Sequence, residues 1–458
     1  MNKQEELLKK GVEAPAELLD RTIEMGQQLT TAVPAAKVLK KTEDYWHMLG
    51  PGLTTGASDD DPSGIATYSQ TGAKYGFSFL WLAPLTFPLM AVVQEMCARI
   101  GLVTGRGLAG NIRIYFSRRI LIACTLLLFC ANAFNIGADI GAMAKGVQLL
   151  NPRFSFSAIV ITITLLSLLL QIFTPYVRYA KYLKWLAMVL LAYVFSALLA
   201  HLNWAHVLKG SLVPQLHWGK QEFILVAAIL GTTISPYLFF WQTSQEVEEQ
   251  ILQGKTSVEE RQKETTKEDI KSMRIDVWSG MFLSNVVMFF IIAACGGVLY
   301  AHGVTDIKTT AQAADALRPF AGDATYFLFA VGIIGTGFLA IPVLAGSSSY
   351  ALSESFRWKE GLYRKLGEAS YAFYGIIIIS MLVGLGINFI GIDPIKALIY
   401  AAVGNAIAAP IILALIVLIS ANRKVMGKWT NKRSTTIIGW LVTLLMSAAS
   451  IAAIISLF

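Results

Sequence analysis

The sequence predicts an all-α polytopic membrane protein made of an inverted 5+5 helix repeat and an eleventh helix, with helices one and six discontinuous. Three observations lead there: the length of the apolar runs, the alternation of basic connections, and two polar interruptions five helices apart. Of 458 residues 55% are hydrophobic and 15% charged, and the mean hydropathy is +0.56. A soluble domain carries roughly a quarter charged residues. Runs such as FSFSAIVITITLLSLLL and YAFYGIIIISMLVGLGI are long enough to cross a bilayer. They lack the apolar-polar alternation of an outer-membrane barrel.

In chain order the spans are expected at about 50–72, 75–101, 119–149, 155–175, 182–202, 222–249, 276–300, 324–354, 370–391, 394–420 and 434–457. The domain reading is a cytoplasmic segment over 1–48 and a transmembrane domain over 49–457. Repeat one covers about 50–202 and repeat two about 222–420, with a charged cytosolic linker near 247–275 after helix six. The first segment, MNKQEELLKKGVEAPAELL onward, has no apolar core of the kind a signal peptide needs. It reads as an amphipathic lead-in helix.

Span one is too polar for hydropathy to find, and charge decides it. Lys and Arg concentrate in the tail and in the connections after spans two, four, six, eight and ten, which together hold 29 of the 38. The intervening connections hold few, such as Lys74 alone in one and Lys209 and Lys220 in another. This is the positive-inside pattern, and it stays in phase only if 50–72 crosses. The N-terminus is then cytoplasmic and the C-terminus extracytoplasmic. The same distribution removes nucleic acid as the reason for the net charge of +8.

Span one reads GLTTGASDDDPSGIAT. Intramembrane carboxylates mark cation pathways and functional sites. Pro62 disrupts a helix interior and Gly64 adds backbone freedom. Span six reads ILGTTISPYLFFW, where Thr232, Ser235 and Pro236 repeat the interruption. Breaks in the first helix of each five-helix half are a signature of inverted-repeat transporters, with the binding site at the midplane between them. With aspartates at one break, the ligand is expected to be a cation. A proline in a membrane helix can also be a plain kink, and Ser and Thr also serve packing.

These residues resemble a family. GPGLTTGASDDDPSGIATYSQTG is similar to the first-helix region of the Nramp divalent-metal transporters, whose motif there is DPGN. ILGTTISPY is similar to their sixth-helix segment, which carries Met-Pro-His. QEMCARIGLVTGRGLA and ANRKVMGKW also look like Nramp segments. The resemblance runs over nearly all of the chain after residue 45. It implies a LeuT-type fold and transport of divalent cations across the plasma membrane, with no cofactor, no enzymatic activity and a monomeric transport unit.

The departures from the family shape the expected site. Its aspartate falls on Asp61, its asparagine on Gly64, its methionine on Ser235, its histidine on Tyr237 and its sixth-helix carbonyl ligand on Thr232. A thioether favours softer metals, so a hydroxyl at Ser235 leaves an all-oxygen site. Mg²⁺ takes oxygen ligands and keeps several waters. The expected cation ligands are therefore Asp61, Ser58, Thr232 and Ser235. Asp59, Asp60, Gly64, Pro62, Pro236 and Tyr237 are expected to shape the site or hold its outer waters. One of Asp59 and Asp60 is expected to contact a neighbouring helix. This pattern resembles the Nramp-related magnesium transporters, with Mg²⁺ and also Mn²⁺ as the transported ion.

The family's proton route uses the sixth-helix histidine, third-helix acids and ninth-helix arginines. Here the histidine is Tyr237, and span nine has no Arg, Lys or His. Span three keeps Asp139, which shares a helical face with Asn132 and Asn135. That face is read as part of an aqueous path, the alternative being hydrogen bonds between helices. Asn405 in span ten and Asn285 in span seven are read as path or packing residues, and Lys145 as a loose partner of Asp139. Transport without proton coupling is expected. Three rivals stay open: a proton-coupled Mn²⁺/Fe²⁺ transporter, a passive channel with an acidic ring, and an intramembrane aspartyl enzyme pairing Asp61 with Asp139.

The four cysteines, Cys97, Cys124, Cys130 and Cys295, form no CxxC or Cys/His pattern and are expected as buried packing residues. Glu95 and Arg99, one helical turn apart, are expected to pair locally. The GSSSYALSESF end of span eight is expected to pack closely against neighbours. The run 247–271 is expected to be a solvated helix.

Overall fold

A computed structural model describes residues 49–457 apart from 175, 201, 216–218, 264, 306, 308–309, 365–369 and 393. The lead-in helix expected over 1–48 lies outside the described residues. The chain divides into Met1–Leu49 and Gly50–Phe458, and only the second unit is treated below.

That unit is helical throughout, with no strand among its described residues. Span one is two half-helices, α1 (Pro51–Asp59) and α2 (Pro62–Tyr75). Span two is α3 (Leu82–Thr104), followed by the short α4 (Leu108–Tyr115), and span three is α5 (Arg118–Leu150). Span four is α6 (Phe156–Phe173). Span five is α7 (Tyr176–Leu186) joined through a 3₁₀ turn to α8 (Leu191–Leu199). After α9 (Trp204–Leu212), span six is again two half-helices, α10 (Lys220–Thr233) and α11 (Pro236–Leu252).

The second half continues with the short α12 (Val258–Lys263) and with α13 (Lys267–Val298) as span seven. Span eight lies in α14 (Thr310–Phe356), kinked at Gly322, where φ is 82°. Spans nine, ten and eleven are α15 (Tyr371–Ile387), α16 (Pro394–Ser420) and α18 (Arg433–Leu457), with the short α17 (Arg423–Met426) between the last two. Nine helices among the described residues are long and apolar enough to cross a membrane. Span nine is apolar but shorter, and span one is the polar pair that only charge alternation revealed.

The outer faces carry the apolar side chains that lipid solvates, such as Leu165, Leu169, Ile379 and Leu444, each more than half exposed. Inside, lipid gives no hydrophobic drive between helices, so close backbone approach and hydrogen bonds hold them. The α1–α13 contact is the tightest example. A Cβ at Gly56 would run into the Gly280 carbonyl, and one at Gly52 into the Val277 backbone. Asp276 of α13 completes the joint by accepting three hydrogen bonds from the start of α1. They come from the backbone N–H of Gly50 (2.8 Å), Gly52 (2.6 Å) and Leu53 (3.0 Å). A helix start has free N–H groups and a positive dipole end, and a carboxylate answers both.

Three expectations are corrected. Cys130 is exposed on the outer face, although Cys97, Cys124 and Cys295 are buried. The run 247–271 is not a solvated helix: α11 continues to Leu252, and Glu248, Gln250 and Arg261 are buried. The cause is that the polar side chains cap neighbouring backbone, Gln250 donating to the Leu102 carbonyl and Arg261 to that of Gly105. Lys145 does not pair with Asp139. It donates to Gln148 and lies 4.9 Å from the Phe156 ring centroid, six residues being more than one helical turn. Of the two readings open for Asn285, packing fits its bonds, which accept from Thr86 and donate to the Met281 carbonyl.

Glu95 and Arg99 do pair, at 3.6 Å, and Arg274 joins Glu95 at 2.8 Å. The serines of the α14 end are buried and bonded to backbone, Ser347 and Ser348 to the Leu344 carbonyl and Ser349 to that of Phe373.

Candidate cation site

Both interruptions obey one local rule. At the first, Asp60 leaves helical geometry (φ −85°, ψ 52°) and Asp61 is extended (φ −67°, ψ 169°) before Pro62 starts α2. At the second, Ile234 (φ −116°, ψ 61°) and Ser235 (φ −86°, ψ 133°) are followed by Pro236 at the start of α11. The residue before a proline is pushed towards extended geometry. The proline itself suits the first helical position, where its missing N–H costs nothing.

The two breaks meet. Ser63 Oγ lies 3.5 Å from Thr232 Oγ1. Tyr237 donates its hydroxyl to the Ser58 carbonyl at 2.9 Å. Tyr68 Oη lies 3.4 Å from Thr233 Oγ1. Gly64 leaves room for this approach, since a Cβ there would sit 3.1 Å from Thr232 Oγ1.

Asp61 is the centre of the arrangement. Its Oδ1 caps α2, accepting from the Gly64 N–H at 2.8 Å and from Ser63 Oγ at 2.5 Å. Its Oδ2 accepts from Asn135 Nδ2 of α5 at 2.9 Å. All three donors are neutral, and the ion pairs recorded among the described residues lie elsewhere. Asp59 turns away to α13, where Ser284 donates to its Oδ2 at 2.8 Å. Asp60 is fully buried and neither of its carboxylate oxygens is hydrogen-bonded.

The remaining predicted residues are placed as follows. The Ser58 hydroxyl donates to the Thr54 carbonyl. Ser235 Oγ donates backward to the Gly231 (2.6 Å) and Thr232 (2.8 Å) carbonyls. Asn135 is at the site, but Asn132 is not. Its amide donates to the Leu344 carbonyl and to Ser347 and Ser348 of α14. Asp139 and Asn405 are fully buried without a well-formed side-chain hydrogen bond.

Sequence reasoning missed Ser63, Ser284 and Tyr68. Ser63 had a signal, because an aspartate N-cap draws donors from the next two or three residues. The other two join Asp59 and Thr233 from distant or unmarked positions.

Among the described residues no three His, Cys, Asp or Glu side chains converge as a metal-ligand set. The donors at the breaks are the buried carboxylates of Asp60 and Asp61, hydroxyls and the last carbonyls of α1 and α10. That oxygen set suits a cation passing through with part of its water, and it contains no thiolate, thioether or imidazole.

Two broken helices meeting at mid-membrane around an acid, within ten paired spans and an eleventh, define a multi-pass transporter of LeuT-type fold. Solved structures agree on that fold. The manganese transporter of Eremococcus coleocola aligns at TM-score 0.70 and 19% identity, over 93% of this chain and 90% of that one. Mhp1, a nucleobase-cation-symport-1 family transporter, aligns at 0.57 and 14%, over 89% and 91%. The family model for Natural resistance-associated macrophage protein-like (Nramp) proteins matches residues 52–456, so the chain belongs to the Nramp family. Curated relatives include the divalent metal cation transporter MntH of Deinococcus radiodurans, 27% identical over 87% of both chains. The MntH of Chromohalobacter salexigens is 25% identical over 93% of this chain and 95% of its own.

Proposed function

We propose that this protein carries divalent cations across the plasma membrane by alternating access, with partly hydrated Mg²⁺ as its main substrate and Mn²⁺ as a second. The observation that carries the reading is the Asp61 carboxylate, buried and held only by neutral donors. A buried negative charge without a basic partner calls for a cation. The relatives named as divalent metal cation transporters support the charge of the substrate.

The preference for a hard ion rests on Ser235 and Gly64. With no thioether or amide at these positions, the site offers oxygen only and leaves space for retained water. Ser58, Thr232 and Ser235 contribute hydroxyl or carbonyl oxygens, and Asp60 orders outer water. The prolines at 62 and 236 fix the breaks.

Transport runs without a proton. Tyr237 stands where a titratable imidazole would be needed, and its hydroxyl is engaged with the Ser58 carbonyl. The membrane potential suffices as a driving force, since two charges moving down 100 mV gain about 4.6 kcal/mol. The N-terminus is cytoplasmic by the distribution of Lys and Arg. One observation favours the proton-coupled reading instead: Asp139 is a buried acid on the same helix as Asn135.

Flux into proteoliposomes at a set potential, with an internal pH dye, separates the two. Mg²⁺ uptake without internal acidification is the expected outcome. Mn²⁺ uptake with matching acidification and no Mg²⁺ flux would replace this reading with proton-coupled transport of softer metals.

A further inference from the structure

A second polar cavity lies away from the helix breaks, at the end of the bundle that carries the basic connections 102–119, 250–275 and 357–365. It encloses about 410 Å³, within the usual range for small-molecule sites of roughly 300–1,000 Å³. Its floor is Glu248, Tyr350 and Arg261, exposed by 2%, 3% and 6%. It therefore reaches into the bundle and is not a dent on the lipid-facing rim.

Charge sets what it can hold. Six cationic side chains line it: Arg106, Arg113, Arg261, Arg357, Lys359 and Arg364. Three carboxylates line it too, Glu248, Glu354 and Glu360, so the cationic side chains outnumber the acidic ones. Glu248 accepts from the Tyr350 hydroxyl at 2.5 Å and from the Leu362 and Tyr363 N–H groups. Glu354 accepts from the Gly110 N–H at 2.8 Å. Burial, with Glu354 and Glu248 nearby, pushes the Glu360 carboxyl well above the usual carboxylate range.

Acids act on Arg113, Arg261 and Arg364 only at longer range. Arg261 spends its guanidinium on the carbonyls of Gly105, Lys255 and Thr256. Arg113 donates to the Glu354 backbone carbonyl, and Arg364 to that of Glu360. No recorded ion pair among the described residues involves any of the six. A cavity with this excess of positive charge repels metal ions and attracts anions.

We propose that this cavity is a binding site for a soluble polyphosphate anion of nucleotide size, the class of a nucleoside di- or triphosphate. Guanidinium forks match phosphate oxygens in pairs. Trp358, stacked on Phe356 at 5.0 Å, gives a flat apolar surface at the mouth for a base. An occupant would touch the α3–α4 connection, α11, the end of α14 and the segment after it.

Calorimetric titration of the full chain in nanodiscs tests this, with ATP, tripolyphosphate or inorganic phosphate added free of divalent metal. ATP and tripolyphosphate are expected to bind saturably and to compete. Arg106→Gln with Arg357→Gln should weaken both by at least about tenfold, because each removes a charged donor to phosphate, with the ligand-free melting temperature unchanged. Lys432→Gln with Arg433→Gln, a charge-matched pair outside the cavity lining, should leave binding as it was. Equal loss in both pairs would reduce the effect to general electrostatics and overturn the site. Absence of saturable binding, or binding seen only with anionic lipid in the nanodisc, would overturn it as well.

Discussion

The two helix breaks share a backbone and differ in chemistry. Each has two non-helical residues followed by a proline at the first position of the next half-helix. At the first break the capping side chain is a carboxylate that faces forward, closing α2 through the Gly64 N–H and still reaching Asn135. At the second the corresponding residue is Ser235, which faces backward and closes the carbonyl end of α10. One break thus supplies charge, and the other supplies neutral oxygen and shape. Symmetry of the repeat fixes where the chain unwinds, while the residue before each proline fixes what the unwound point can bind.

Asp61→Asn breaks the comparison most sharply, by making both breaks neutral. Asparagine is as good an N-cap as aspartate, so α2 is expected to stay formed. Uptake of Mg²⁺ and Mn²⁺ should fall by about a hundredfold or more, as expected when a buried charge that pairs with the substrate is lost. Flux in proteoliposomes reads the loss, and size-exclusion elution with thermal melting checks the fold. Retained flux would move the charge of the site to Asp60 or Asp139.

Asp276→Ala tests the other end of the first broken helix. Three N–H groups at the start of α1 would lose their acceptor. Loss of a cap together with buried unsatisfied donors costs about 2 to 4 kcal/mol. A fall of several degrees in melting temperature is expected. An unchanged melting temperature would mean that the close glycine packing against α13 suffices by itself.

Ser235→Met sharpens the comparison at the second break by putting a soft donor where only oxygen stands. Selectivity for Mn²⁺ or Cd²⁺ over Mg²⁺ should rise by about tenfold, following ligand softness. Competition of unlabelled metals against Mn²⁺ uptake measures it. Unchanged selectivity would show that residue 235 does not face the ion.

The first break was more legible in the sequence than the second. Three aspartates before a proline have no ordinary place in a membrane helix, and Lys/Arg alternation fixed span one as a crossing. Asp61 was singled out through the resemblance, whose motif aspartate falls on it, and the structure makes it the N-cap of α2. The division of Asp59 to Ser284 was foreseen only as a contact with some neighbouring helix, since pairing across 225 residues leaves no local trace. Asn132 and Asn135 lie on one helical face, yet only Asn135 meets Asp61; Asn132 meets α14. Periodicity gives the face of a helix and not the neighbour it finds. The linker failed for the same reason, as Glu248 and Arg261 look solvated until the backbone groups they cap are known.

Gly64→Ala is the smallest test, and it falls where the two breaks touch. The added Cβ would stand 3.1 Å from Thr232 Oγ1 and 3.3 Å from Tyr68 Cε2. Both neighbours are side chains, and the Thr232 hydroxyl can shift by a few tenths of an ångström. The fold should therefore survive, with a change in melting temperature within about 1 °C, a shift equivalent to under about 1 kcal/mol for a domain of this size. The space lost is space that a hydrated ion would use. Mg²⁺ uptake should fall by about two- to tenfold, while Mn²⁺, which gives up its water more readily than Mg²⁺, should lose less. A parallel loss for both ions would make Gly64 a packing glycine of the α2–α10 contact, and the small residue would then say nothing about hydration.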